Sequence, residues 1–200
     1  MKKVHILIIL LILPAASILA QSQDDSSQRR EYKIKAAFLY NFIKFVDWPE
    51  EKAVSKNETV MIVIIGKDPF GDAFEPIKNK KIKGNDTIIK YFPGFKELKR
   101  IEKDNNSEYE NIVAELRKCH LLFICSSEKD NLVDILSLVK NHNILTVGES
   151  PGMLEVNGII NFLLDENKVR FEINLNNARE SKLVIRSQLL RLAKNVIDDK

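Results

Sequence analysis

The chain has only two cysteines and three histidines in 200 residues, and none of them falls in a metal-binding spacing. It contains no CxxC pair and no HExxH, which removes the usual zinc and dithiol chemistries. Cys119 and Cys125 flank HLLFI within one predicted strand. Six residues at about 3.3 Å each place them roughly 20 Å apart, while a disulfide needs alpha carbons within about 7 Å. Both are expected as buried free thiols. A surplus of one charge is lacking too. The formal charge is +3, and it drops to +1 without Lys2 and Lys3. That balance gives no electrostatic footprint for nucleic acid. Long apolar runs are absent except at the start, where Lys2 and Lys3 precede Ile6 to Leu13, Pro14 and small residues as far as Ala20. This is the layout of an export signal over residues 1–20, with cleavage after Ala20 or Ser22. The remainder is expected to be soluble: a polar, flexible lead over 21–30 (QSQDDSSQRR), then one domain over 31–200.

The run that carries most information is Lys33 to Pro49, KIKAAFLYNFIKFVDWP. Apolar residues three and four apart predict an amphipathic helix with its aromatics on one broad face. Pro49 predicts an end near Asp47, with Trp48 turning into the body of the domain.

Further along, Thr59 to Gly66 is a continuous β-branched run, as expected of a strand buried on both faces of a parallel sheet. A short helical segment is expected over 71–78, a second strand over Asp86 to Phe92, and a turn at Pro93-Gly94. Residues 102–107 read as a polar loop, with Ser107 and Glu110 as a capping box opening a helix to Lys118. Cys119 to Cys125 reads as a strand. A helix follows with Leu132, Ile135, Leu136 and Val139 on one face, and then a strand over Ile144 to Val147. Gly158 to Leu164 and Lys168 to Ile173 form a predicted hairpin. Helices are expected over Leu175 to Arg179 and Ser187 to Ile197. This alternation predicts an α/β fold: a Rossmann-like or flavodoxin-like three-layer sandwich, mainly parallel, with a late antiparallel hairpin.

No catalytic constellation emerges. Gly148-Glu149-Ser150-Pro151-Gly152 matches G-x-S-x-G after a strand, but a nucleophile elbow needs the N–H after the serine as an oxyanion donor, and Pro151 has none. Both later histidines, His120 and His142, precede Ser150, against the usual order. GESPG therefore reads as a turn. Gly66 to Gly71 lacks the Gly-Lys-Ser/Thr ending of a phosphate loop. Lys78 to Lys83, KNKKIK, reads as a solvated basic turn, with an anionic partner surface as the alternative. No enzyme, cofactor or metal is expected.

Five blocks in order resemble the YfiR/HmsC-like family of exported bacterial regulators: KAAFLYNFIKFVDWP (35–49), VIIGKDPFG (63–71), CHLLFIC (119–125), ILTVGES (144–150) and VRFEINLNNARESKLVIRSQLLRLAKNV (169–196). Three positions depart from the family pattern. Asn157-Gly158 stands for a Gly-Gly pair, Met153 for a phenylalanine, and Lys182 for a glycine. These bear on loop geometry and on a partner-facing surface. Some relatives carry a disulfide using a cysteine like Cys119; its partner has no counterpart here.

The resemblance implies a non-enzymatic periplasmic regulator that forms a homodimer, as members of the family tend to. It would bind and repress the periplasmic domain of an inner-membrane diguanylate cyclase or other sensor, and be sequestered by an outer-membrane OmpA-like lipoprotein. The output would be cyclic di-GMP and biofilm control. The alternative is a periplasmic small-ligand module or adaptor for a sensor kinase or transporter. Candidates for a partner surface or a structural role are Phe38, Phe42, Phe45, Trp48, Ser150, Met153 and Asn174. Asn174 is also expected to end its strand and cap the next helix.

Overall fold

The computed structural model describes residues 13–52, 58–78 and 80–199. Residues 1–12, with the n-region and most of the apolar run of the expected export signal, lie outside the described residues. In chain order the elements are α1 (Leu13–Lys44), β1 (Val46–Asp47), β2 (Val60–Ile65), β3 (Thr87–Phe92), α2 (Phe95–Asp104), α3 (Asn106–Lys118), β4 (Leu121–Ile124), α4 (Leu132–Val139), β5 (Leu145–Gly148), β6 (Ile160–Asp165), β7 (Lys168–Asn174), α5 (Leu175–Glu180), β8 (Val184–Ile185), α6 (Ser187–Leu190) and β9 (Asn195–Ile197). Short 3-10 helices occupy Glu50–Lys52, Glu75–Ile77 and Ser126–Asn131.

Seven strands form one sheet in the order β3-β2-β4-β5-β6-β7-β9. The first five are mutually parallel, β7 runs antiparallel to β6, and β9 is parallel to β7. Those five parallel strands therefore lie in the order second, first, third, fourth, fifth, which is the flavodoxin-like arrangement. Alternation along β2 and β4 sends side chains to two separate cores. Ile62, Ile64, Leu121 and Phe123 face the α1 side, while Val63, Ile65, Leu122 and Ile124 face α2, α3 and α4. This is why both strands read as unbroken apolar runs. The α4 stripe of Leu132, Ile135, Leu136 and Val139 is buried as its spacing predicts. Cys119 and Cys125 are free and buried in different cores. The β6–β7 hairpin closes on Glu166 and Asn167, both with positive φ, as a two-residue turn requires.

Four local expectations are corrected. The polar lead 21–30 is helical and continuous with α1, since no glycine or proline interrupts residues 15–48. That helix stops at Lys44 rather than near Asp47, because Val46 and Asp47 leave it to pair antiparallel with β8. The loop expected over 102–107 is the close junction of α2 and α3. Asn105 is the N-cap there, its side chain accepting from Glu108 N at 3.2 Å, so the cap lies two residues earlier than Ser107. The helix expected over 187–197 ends at Leu190. Val196 and Ile197 are β-branched and instead complete the open side of β7.

Candidate functional site

Helix α1 buries Tyr32, Ala36, Leu39, Phe42 and Ile43 along one stripe. It lies across the sheet from the carboxyl ends of β4 and β5, which Tyr32 reaches, to their amino ends, where Trp48 meets His120 at 5.9 Å between ring centroids. At the carboxyl end a cleft of about 890 Å³ opens between Gln28, Arg29 and Tyr32 of α1, the β2 exit loop (residues 67–72) and Ser126-Ser127 after β4. β2 and β4 are neighbours whose connections depart in opposite directions, so this is the topological switch point, where open α/β sheets bind ligands. The floor is aromatic: Tyr32 and Phe70 meet edge to face at 5.2 Å, and Phe70 meets Phe123 at 4.9 Å. Both signs of charge line the rim, with Arg29 and Lys67 against Asp68 and Asp72. Asp72 pairs with Lys33 at 3.4 Å, and Asp68 accepts from Phe70 N at 2.8 Å.

Beside the cleft lies a buried ionic node. The Lys35 ammonium sits 2.7 Å from Glu149 and 2.5 Å from Glu31. Glu149 follows β5. Its carboxylate also accepts from the Tyr32 hydroxyl at 3.1 Å and from Ser126 N at 3.0 Å. One carboxylate thus ties α1, the β4 exit and the β5 exit together. Burial, reinforced by the Glu149 charge, pushes the Tyr32 hydroxyl well above its ordinary value and keeps it a donor. Lys35 also lies 4.5 Å from the centre of the Tyr32 ring.

A second buried carboxylate, Glu128, braces the next two strand exits. It accepts from Phe95 N at 3.0 Å, at the start of α2, and from Asn131 at 3.1 Å. Gly66 and Gly94 pass against it. A Cβ on Gly66 would lie 2.8 Å from Glu128 Cγ, and one on Gly94 would lie 2.9 Å from its carboxylate carbon. Gly66 also has φ of +104°, which side chains rarely adopt.

The amino ends of the strands are built differently. Lys52 donates to the carbonyls of His142 at 2.5 Å and Arg117 at 3.2 Å. Burial lowers its ammonium to about 8. His120 accepts from Met61 N at 3.2 Å through Nδ1, which leaves its proton on Nε2. Burial first, then nearby Lys52, pushes His120 down to about 4. Burial raises the Cys119 thiol to about 12, so it is an inert core group.

The seven sequence candidates scatter. Phe42, Trp48, Ser150, Met153 and Asn174 are buried, and Phe38 and Phe45 are half-buried against the α1 core. Phe38 and Phe42 each pack on both Phe162 and Phe171 of the hairpin. Ser150 Oγ is buried without a hydrogen-bond partner, and the His120 imidazole is engaged instead by Met61 N. Met153 fills the space over Gly148 and Gly158, so the residue standing for a phenylalanine lies inside the protein and faces no partner. Asn174 caps α5, accepting from Asn176 N at 3.0 Å and Asn177 N at 3.1 Å. Asn177, which the sequence did not single out, holds the loop after β5 through bonds to Leu154 O at 2.9 Å and Gly158 O at 2.7 Å. Asn157 and Lys182, at the two positions expected as glycine, have φ of +75° and +54°, so the glycine geometry persists without the glycine. Tyr32, Lys35 and Glu149 were also not singled out. The Glu31/Lys35 spacing was the available signal for part of the node.

Among the described residues no group of three His, Cys, Asp or Glu could hold a metal ion, and no helix is long and apolar enough to cross a membrane. A model of the YfiR/HmsC-like family matches residues 32–194. No curated protein matches. Among solved structures, the chain is similar to the ABC domain in complex with L-Trp from Streptococcus pneumonia, at 13% identity and a TM-score of 0.50, covering 69% of this chain and 55% of that one. It is also similar to a conserved domain protein from Vibrio cholerae, at 8% identity and a TM-score of 0.51, covering 82% of this chain and 60% of that one. The chain thus spans little more than half the length of either neighbour, and identities this low speak for the fold alone.

Proposed function

Because this chain belongs to the YfiR/HmsC-like family, we propose that it is a non-enzymatic periplasmic repressor of an inner-membrane signalling protein, most specifically a diguanylate cyclase. Membership supports a periplasmic regulatory role in general, and the match over residues 32–194 is the observation that carries the reading. The finer reading has the protein hold the cyclase's periplasmic portion in its inactive state, as a homodimer, until an outer-membrane OmpA-like lipoprotein sequesters it. Repression of this kind needs higher affinity for the inactive state than for the active one. Residues 1–20 serve as the export signal in this scheme. Phe38 and Phe45, half-buried against the α1 core, are the candidate aromatics left for a partner to reach.

The test is cellular cyclic di-GMP in a deletion strain, complemented with and without residues 1–20. A rise on deletion, reversed by the exported form alone, supports a periplasmic brake on a cyclase. An unchanged level overturns the cyclase assignment.

The cleft at the switch point favours a second reading, a small-ligand module feeding a sensor kinase or transporter. Its balanced rim charges and aromatic floor suit a compact polar molecule rather than a polyanion. A small molecule retained through native purification, and lost on Tyr32→Ala, would favour it.

A further inference from the structure

The cleft at the switch point lies where open α/β sheets turn backbone N–H groups towards a phosphate. In this chain four of those donors are already taken by the protein itself. Ser126 N, at the exit of β4, donates to Glu149 at 3.0 Å. Phe95 N, at the start of α2, donates to Glu128 at 3.0 Å. At the exit of β2, Lys67 N donates to Ser127 Oγ at 3.0 Å and Phe70 N to Asp68 at 2.8 Å.

The hydroxyl protons are taken in the same way. Tyr32 donates to Glu149 at 3.1 Å and Ser127 to Glu128 at 3.1 Å, so what each hydroxyl has left is a lone pair. Asp68 adds an exposed carboxylate on which only one oxygen is engaged, by Phe70 N. Tyr32, Ser127 and Asp68 all line the cleft. They ask a ligand for hydrogen-bond donors.

The four charged side chains of the lining, Arg29, Lys67, Asp68 and Asp72, balance and select no sign. The groups tied to the lining break that balance. Glu31 and Glu149 share the single Lys35 ammonium, and Glu128 is held by the neutral donors Phe95 N, Asn131 and Ser127. Glu128 and Glu149 are buried, so salt screens them less than it screens the exposed Arg29 and Lys67. The Cys125 thiol after β4 registers the sign: burial pushes it up, and Glu149, Asp68 and Glu128 push it further.

We propose that the cleft binds a small primary amine as its ammonium ion and discriminates against phosphorylated molecules. This rests on the small-ligand reading above. An ammonium brings three donors and no acceptor, the complement of a lining whose backbone donors are taken and whose lone pairs are open. Asp72 can serve a second ammonium, because its 3.4 Å pair with Lys33 is solvent-exposed and such pairs exchange readily.

The experiment is calorimetric titration of the exported protein with 1,4-diaminobutane and, separately, with inorganic phosphate. It is run on the wild type and on Asp68→Asn, Glu128→Gln and Lys67→Met. Asp68→Asn keeps an acceptor for Phe70 N, and Asp68 and Lys67 are exposed, so these two variants carry the test should the buried Glu128→Gln fail to fold; urea midpoints check each one. The expected result is diamine binding and no phosphate binding by the wild type. Asp68→Asn and Glu128→Gln should weaken the diamine about fivefold or more, and Lys67→Met should tighten it by removing a competing cation. Diamine binding that both carboxylate variants leave within about twofold overturns the site assignment. Phosphate binding by the wild type overturns the ligand class and leaves the small-ligand reading standing. If neither probe binds, this inference falls; a small molecule still retained through native purification then keeps the small-ligand reading, and none retained removes both.

Discussion

The two ends of the parallel sheet hold their polar groups by opposite means. At the carboxyl ends, Lys35, Glu149 and Glu31 satisfy one another as ions, with Tyr32 and Ser126 adding hydrogen bonds. At the amino ends, Lys52 is held by two backbone carbonyls, and a neutral His120 accepts from a backbone N–H. The difference lies in how each end fails. A buried ion pair fails when one partner is removed, because the other is left charged and unpaired. A neutral imidazole held by a backbone amide fails when it gains a proton.

The largest expected effect tests the ionic end. Glu149→Ala should cost about 3–5 kcal/mol, measured by urea unfolding, because it strips Lys35 of one of its two carboxylates and orphans two donors. Adding Lys35→Met should recover part of that loss, since it removes the charge left short of a partner, while the Tyr32 and Ser126 donors stay unpaired. A double variant no more stable than the single one would show that the node is not acting as a pair.

Acid tests the other end. His120 titrates near 4 in the folded protein and near 6.5 when unfolded. Between those values the unfolded chain binds the extra proton, so stability rises with pH across this window and is lost on acidification from 6.5 to 4. The loss is on the order of 3 kcal/mol. His120→Gln keeps an acceptor for Met61 N and should flatten that part of the stability-versus-pH curve. An unchanged slope would remove His120 as its source.

A neutral tie sharpens the contrast further. Asn177→Ala removes the bonds to Leu154 O and Gly158 O without leaving any charge behind, and should cost about 1–2 kcal/mol. A loss as large as that of Glu149→Ala would erase the distinction between ionic and neutral ties.

The smallest effect has the opposite sign. Lys182 holds φ of +54°, and its side chain makes an exposed 3.4 Å pair with Glu51. Lys182→Gly should stabilise by about 0.5–1 kcal/mol, raising the thermal midpoint by a few degrees. A lower midpoint would show that the exposed pair matters more than the strain.

Much of the fold was legible because its period was local. The runs of β2 and β4, the stripe of α4 and the two-residue hairpin turn each carry their own signature. Two of the misplaced boundaries involve partners distant in sequence. α1 yields Val46 and Asp47 to β8, and Asn195 to Ile197 leave a helical-looking stretch to complete β7. α2 was missed because ten mostly charged residues bury only Leu98. The site was less legible still. Lys35 and Glu149 stand 114 residues apart, and Glu149 sat inside what read as a plain turn. The candidates chosen from the sequence were largely aromatic, and packing drew most of them inward.

The two edges of the sheet also bear on assembly. A sheet open on both sides can pass strand pairing from one molecule to the next and grow into a filament. Here β9 has three residues and its exit is pinned by Arg179 and Asn176, whereas β3 has six residues and no strand on its outer side among the described residues. The two edges are unequal templates: a strand added at β3 would find twice the length of backbone that β9 offers.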